Sequence, residues 1–277
     1  MPAPSETTGA ELQAKIGKDF PRMRVLLVDR HSGARHTLRS ILSTLGFTAI
    51  HNAATSTEVM RQIKGNDFDL ILSDYHLDDG RDGQQLLEEL REQHLISLST
   101  VFMLITAERT YRNVVSVAEL APDDYLIKPF TAEQLQTRLA RAVHKKQFFA
   151  EVFAQLDRGA FVDALATCDT LLGKDELFLY DTLRFKGEIL NALERYDEAK
   201  AVYQRVLDNA TVPWARMGLA IALRGQDQLG EAEMIADELI ADFPEYLAAY
   251  DFVASVREEM GRLPEAQATL QQAASIS

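Results

Sequence analysis

From Arg24 onward the chain alternates short apolar runs with stretches whose apolar residues recur every three to four positions. VLLVD (25–29) is followed by SGARHTLRSILSTLG (32–46), TAIHNA (48–53) by STEVMRQIKG (56–65), and LILSD (70–74) by an amphipathic stretch near 84–94. Short apolar runs separated by longer amphipathic stretches mark parallel strands joined by crossover helices. Val101–Thr106 and Tyr125–Ile127 supply the fourth and fifth runs, with further helices expected near 109–119 and from 131 onward. The pattern predicts an α/β doubly wound, five-stranded parallel sheet. Ligands of such sheets sit beyond the carboxyl ends of the strands, where the strand order reverses.

After residue 145 the strand-like runs stop and only helical periodicity remains. Aligning FVDALATC, RYDEAKAVY, LGEAEMIA and LPEAQATL superposes Ala164, Ala199, Ala232 and Ala266, at spacings of 35, 33 and 34 residues. Twelve residues upstream of the last three stand Gly187, Ala220 and Ala254, small residues that let paired helices approach. These phrases resemble tetratricopeptide repeats, and Pro244 falls where a repeat's second helix should stop. Val152 takes the small position of the first, degenerate repeat. The resemblance implies an all-α solenoid whose concave face binds a peptide or helix. Trp214, Met217, Ile221 and Arg224 share one face of the third repeat's first helix. Asp181, Arg184, Glu188 and Asn191 would flank them on one side and Asp251, Ser255 and Glu258 on the other. An apolar centre with a charged rim suits a protein interface, whereas a Trp214 packed between repeats would be purely structural.

The strand ends of the first half carry Asp29, Asp74, Thr106 and Lys128. Singly, each has an ordinary explanation as a helix cap or a solvated end; two acids, a hydroxyl and an ammonium converging on one crevice do not. VLLVDR, LILSDYHLDDGRDG, FMLITA and DDYLIKPF resemble the receiver domain of response regulators in two-component signalling, over residues 23 to about 143. The resemblance implies that Asp74 accepts a phosphoryl group from a phosphohistidine of a histidine kinase or phosphotransfer protein. Thr106 would hydrogen-bond the phosphoryl oxygens, Lys128 would pair with them, and Tyr125 would be the aromatic switch that follows Thr106. Asp29, Asp74 and the main-chain carbonyl of His76 would hold Mg²⁺, a hard ion that favours oxygen donors. Lys128–Pro129 resembles the family's cis peptide. No enzymatic activity is expected beyond self-catalysed phosphoryl transfer and autodephosphorylation.

Two positions depart from the family. Arg30 stands where a second acid usually follows Asp29. At about 4 Å and a surface-like dielectric, unit charges interact by about 4 kcal/mol, so this exchange weakens Mg²⁺ binding. Arg30 could point away, leaving Asp29 and Asp74 to hold the ion, or could pair with Asp74 and make a receiver that needs no phosphate. After strand 3, LDDG adds a residue before Asp82–Gly83, and Asp78 and Asp79 are expected to be solvated.

Charge separates the halves. Residues 1–147 carry 18 Lys and Arg against 19 Asp and Glu, and the rest carry 11 against 23, so nearly all of the net −13 lies in the second half. An acidic output domain repels a polyanion, so nucleic acid is not an expected partner. The first twenty residues lack the apolar stretch of a signal peptide and nowhere do eighteen apolar residues run together, so a cytoplasmic protein without a membrane partner is expected. The expected division is a disordered tail (1–21), a receiver (22–145) and a repeat domain (146–277). The receiver's last helix should run from Thr131 to about Leu156, with Phe148, Phe149 and Phe153 sealing the two domains together or a homodimer. The lone Cys168, in an apolar helical pattern, reads as core. The leading expectation is a response regulator that controls protein binding through its repeats. The alternative is a constitutive scaffold with a degenerate receiver.

Overall fold

The computed structural model describes residues 16–77, 80–107 and 121–276. Each apolar run is a strand: β1 (Arg24–Val28), β2 (Ala49–Ala53), β3 (Leu70–Asp74), β4 (Val101–Thr106) and β5 (Asp124–Ile127). All pair in parallel, in the order β2-β1-β3-β4-β5. Helices α1 (Ser32–Thr44), α2 (Ser56–Ile63), α3 (Gly83–Glu92) and α4 (Ala132–Phe148) accompany the strands. The alternation of β1 is hidden because both faces are covered: Val25 and Leu27 pack with Leu38, Leu42, Leu135 and Leu139, while Leu26 and Val28 pack with Val59, Leu86 and Leu90. Caps fix where the helices begin. Thr55 accepts from the Glu58 amide, and Asp82 with Gln85 and Thr131 with Gln134 form capping boxes at α3 and α4.

The structure differs from the sequence reading at both ends of this unit. Ile16 and Phe20, placed in the tail, are buried in the core, and Phe20 stacks on Phe47 with ring centroids 4.4 Å apart. The rest of the tail, the helix expected over 109–119 and the acids Asp78 and Asp79 lie outside the described residues. The expected single helix from Thr131 to Leu156 is broken at Phe149 (φ −96°, ψ 10°), and α5 (Ala150–Leu156) follows. Distant contacts flank the break. At the end of α5, Asp157 accepts from Ser97 Oγ (2.6 Å) and the Leu98 amide (3.2 Å) in the loop before β4. From α4, Lys146 Nζ donates to the Leu98 carbonyl (2.7 Å), pairs with Asp123 (2.8 Å) and lies over the buried Phe153 ring. The first compact unit therefore ends at Arg158 rather than 145.

The second unit, from Gly159, contains α6 (Phe161–Leu171), α7 (Leu179–Ala192), α8 (Tyr196–Leu207), α9 (Pro213–Gly225), α10 (Leu229–Asp242), α11 (Leu247–Glu259) and α12 (Leu263–Ala274). Each packs on the next, and α9 also packs on α7. The four aligned alanines are buried on α6, α8, α10 and α12, and Ala220 and Ala254 are buried on α9 and α11. Tyr203 of α8 wedges between Gly187 of α7 and Gly218 of α9, where added Cβ atoms would come within 2.6 Å of its ring Cζ and its Oη respectively. Arg257 of α11 joins three helices by pairing with Glu233 (2.7 Å) and Asp237 (2.9 Å) of α10 and donating to Thr269 of α12. Cys168 is buried, which pushes its thiol up to about 12, so it behaves as core. Among the described residues no helix is long and apolar enough to cross a membrane.

Candidate functional site

The strand order turns back at β1, with β2 on one side and β3 on the other, so the crevice opens beyond the ends of β1 and β3. Asp29 follows β1 and Asp74 ends β3; they are 1% and 9% exposed. The Asp29 amide donates to the Ala53 carbonyl (3.2 Å), its Oδ1 accepts from the His31 amide (2.8 Å), and its carbonyl accepts from Arg35. Lys128, directly after β5, reaches across the crevice. Its Nζ lies 2.8 Å from Asp74 Oδ2 and 3.3 Å from Asp29 Oδ2, so one ammonium bridges both carboxylates. The Lys128 amide donates to the Thr106 carbonyl (2.7 Å), and the Lys128–Pro129 bond is cis. Asp74 pairs in register with Ile105, which places the buried Thr106 one residue beyond it on the adjacent strand.

Burial and charge act differently on the three groups. Burial pushes the Asp74 carboxyl up, and the Asp29 charge adds to this while Lys128 opposes it. Burial also raises Asp29, but the His31 amide and Lys128 outweigh it and hold this carboxyl below its usual range. Burial lowers Lys128, but Asp74 and Asp29 outweigh it and keep the ammonium charged. A carboxylate nucleophile beside a fixed cation and a second acid is the equipment of phosphoryl transfer, in which charge on the equatorial oxygens must be neutralised.

Gly83, first residue of α3, closes the loop behind Asp74. A Cβ there would lie 2.5 Å from Leu104 Cδ2 and 2.7 Å from the Asp74 carbonyl oxygen. The Gly83 amide donates to the Tyr75 carbonyl (2.7 Å), and the Tyr75 hydroxyl donates to Asp82 (2.7 Å).

A family model of the response regulator receiver domain matches residues 25–140. The chemotaxis protein CheY-3 of Vibrio cholerae serotype O1 is 31% identical over 117 residues, 42% of this chain and 88% of the relative. The chain belongs to the response regulator receiver family. The chemotaxis protein CheY of Pseudomonas aeruginosa is 29% identical over 119 residues, 43% of this chain and 94% of the relative. Among solved structures, the signal receiver domain of an HD domain-containing protein from Pseudomonas fluorescens Pf-5 is 26% identical, covering 47% of this chain and 92% of that one at a TM-score of 0.41.

Within the receiver, Tyr125 is half-buried against the core on the α2–α3 face of the sheet, in register with Leu104 of β4. Arg30 is exposed, and Lys128 is an ion-pair partner of Asp74. The His76 side chain is exposed, while its backbone bridges to Asp82. Receiver domains bind Mg²⁺ in this acidic pocket, and the two carboxylates are suitable hard donors. The sequence reading passed over His31, whose Nδ1 lies 3.3 Å from Asp29 Oδ1. Asp29, His31 and Asp74 each place one potential ligand atom within 4.8 Å of the others. A histidine two residues after a strand-end acid was the available signal.

In the second unit, Trp214 is half-buried, with its ring 6.4 Å from that of Tyr203 and the Arg184 guanidinium 5.7 Å away. Met217 is only 6% exposed, whereas Ile221 is 37% exposed. Much of the flanking charge is paired within the unit: Arg184 with Glu188 (3.0 Å), and Arg224 with Glu259 while lying over the Phe252 ring. Asp251 is exposed.

Proposed function

We propose that this chain is a two-component response regulator phosphorylated on Asp74 by a histidine kinase or phosphotransfer protein, and that its helical repeats bind a downstream protein. The observation that carries the reading is the Lys128 ammonium 2.8 Å from a nine-tenths-buried Asp74 at the end of β3, with Asp29 and Thr106 beside it. Asp74 is the acceptor, because Lys128 is positioned to hold the incoming phosphoryl oxygens and Asp29 is already committed to the His31 amide. Asp29 and Asp74 would hold Mg²⁺, which offsets charge on the phosphoryl oxygens when bound. Thr106 and Tyr125 transmit the change, since a hydroxyl drawn towards the phosphoryl group leaves room for an aromatic ring.

The repeat reading is supported by four buried alanines at near-constant spacing and by glycines under Tyr203. Its groove is centred on Trp214, Ile221 and Asp251, and its acidic character selects a neutral or basic amphipathic segment.

The test is incubation with acetyl phosphate and Mg²⁺ followed by mass spectrometry of the intact chain. One labile phosphoryl adduct is expected, absent in Asp74→Asn. If the wild type takes no adduct, the chain is a constitutive scaffold with a degenerate receiver, the reading that Arg30 favours.

A further inference from the structure

The family's second acid is missing from the metal pocket, and another donor stands beside the gap. Arg30 contributes +1 where a carboxylate would contribute −1, so a purely ionic site for a hard divalent cation is weakened. One residue further on, the exposed His31 imidazole turns back to the buried Asp29, with Nδ1 3.3 Å from Oδ1. Lys128 engages the Oδ2 atoms of both Asp29 and Asp74, so the imidazole and the ammonium meet Asp29 through different oxygens. Donor atoms on one ion, each about 2.1 Å from it, lie roughly 3 to 4 Å apart. The three potential ligand atoms of Asp29, His31 and Asp74, all within 4.8 Å of one another, need only a small side-chain adjustment to reach that spacing.

We infer that His31 is a metal ligand and that, with Asp29 and Asp74, it makes this receiver's pocket selective for a divalent first-row transition ion over Mg²⁺. The inference rests on the reading of this crevice as the metal pocket of a receiver. Mg²⁺ gains little from an imidazole nitrogen, whereas Co²⁺, Ni²⁺ and Zn²⁺ form strong bonds to it. A nitrogen bond therefore compensates these ions, and not Mg²⁺, for the carboxylate lost at residue 30. Lys128 remains available to the phosphoryl oxygens, because it approaches from the Oδ2 side.

The test uses the full chain and Co²⁺ as a spectroscopic probe, with calorimetric titrations of Co²⁺ and of Mg²⁺. Wild type should bind one equivalent of Co²⁺ at the site, at least tenfold more tightly than Mg²⁺, and show a hyperfine-shifted imidazole proton by NMR. His31→Ala, at an exposed side chain that makes no helix cap, should lose that proton and on the order of tenfold or more in Co²⁺ affinity, or about 1.4 kcal/mol. Its Mg²⁺ affinity should stay within about twofold, and Asp74→Asn should weaken both ions. A His31→Ala variant that keeps its preference for Co²⁺, or a wild type that binds neither ion, overturns the inference. Acetyl phosphate labelling of the same proteins keeps the two ideas separable. An adduct at Asp74 without an imidazole-ligated Co²⁺ refutes this inference alone, and an imidazole-ligated Co²⁺ without an adduct under any ion refutes the phosphoacceptor reading alone.

Discussion

Replacing Gly218 with alanine puts a methyl group into the most crowded contact of the repeat unit. Tyr203 is 1% exposed, and a Cβ on Gly218 would stand 2.6 Å from its Oη and closer still to Cζ and Cε1. Carbon atoms in comfortable contact are about 3.5–4 Å apart, so ring and methyl must separate by about 1 Å or more. The ring cannot retreat towards α7, because the same three atoms already lie 2.6–2.8 Å from the position a Cβ would take on Gly187. Asn191 Nδ2 ties the assembly further, donating to the Gly218 carbonyl (3.0 Å) and lying 3.4 Å from the Tyr203 hydroxyl. Overpacking of this kind costs about 1–3 kcal/mol, and the better helix propensity of alanine returns up to about 1. A net loss of about 1–2 kcal/mol is expected. Trp214 is the only tryptophan and lies 6.4 Å from Tyr203, so its fluorescence during urea unfolding follows the repeat unit without a receiver signal. The midpoint should fall with an unchanged slope, and the loss should largely disappear in a Tyr203→Leu background. A midpoint that rises, as helix propensity alone predicts, or a loss that is the same in both backgrounds, refutes the wedge.

The receiver offers two further tests. Gly83→Ala should cost the receiver about 2 kcal/mol and slow labelling of Asp74, because the methyl meets the Asp74 carbonyl and Leu104. Gly33→Ala, in α1 with nothing within 4 Å, is the control and should stabilise by up to about 1 kcal/mol in thermal unfolding. Lys146 is the second: burial, with Arg91 and Lys145 nearby, pulls its ammonium down to about 8 despite Asp123. Below pH 8 the folded and unfolded chains both hold this proton and the folded one bears the full cost. Between 8 and 10.5 the folded chain alone releases it, so stability relative to Lys146→Met rises by about 3 kcal/mol over that window. Carbon-13 NMR of the lysine Cε atoms should show one titration near 8 that is missing in Lys146→Met, and a wild type whose lysines all titrate above 10 would contradict this.

What the sequence made legible followed from local pattern joined to a topological rule. Apolar runs bounded by turn residues located all five strands, and the rule that ligands sit beyond strand ends turned Asp29, Asp74, Thr106 and Lys128 into one crevice before any distance was known. What stayed hidden was decided by distant partners. Nothing between Thr131 and Leu156 breaks a helix by propensity, since neither Gly nor Pro occurs there; the break at Phe149 comes with bonds from Lys146 and Asp157 to the loop at residues 97–98. Ile16 and Phe20 are isolated apolar residues in a polar stretch, and their places in the core depend on residues far along the chain, such as Phe47, which stacks on Phe20. His31 carries only a weak local signal, its place two residues after a strand-end acid, because its value depends on Asp29 turning Oδ1 towards it while Lys128 takes Oδ2. The groove shows the same division. Periodicity puts Trp214, Met217, Ile221 and Arg224 on one face of α9, but it does not distinguish a surface from a seam. Met217 is buried, Arg224 is paired with Glu259 and Trp214 is half covered by its neighbours, so Ile221 and the uncovered part of Trp214 offer the apolar area that a bound segment could still bury.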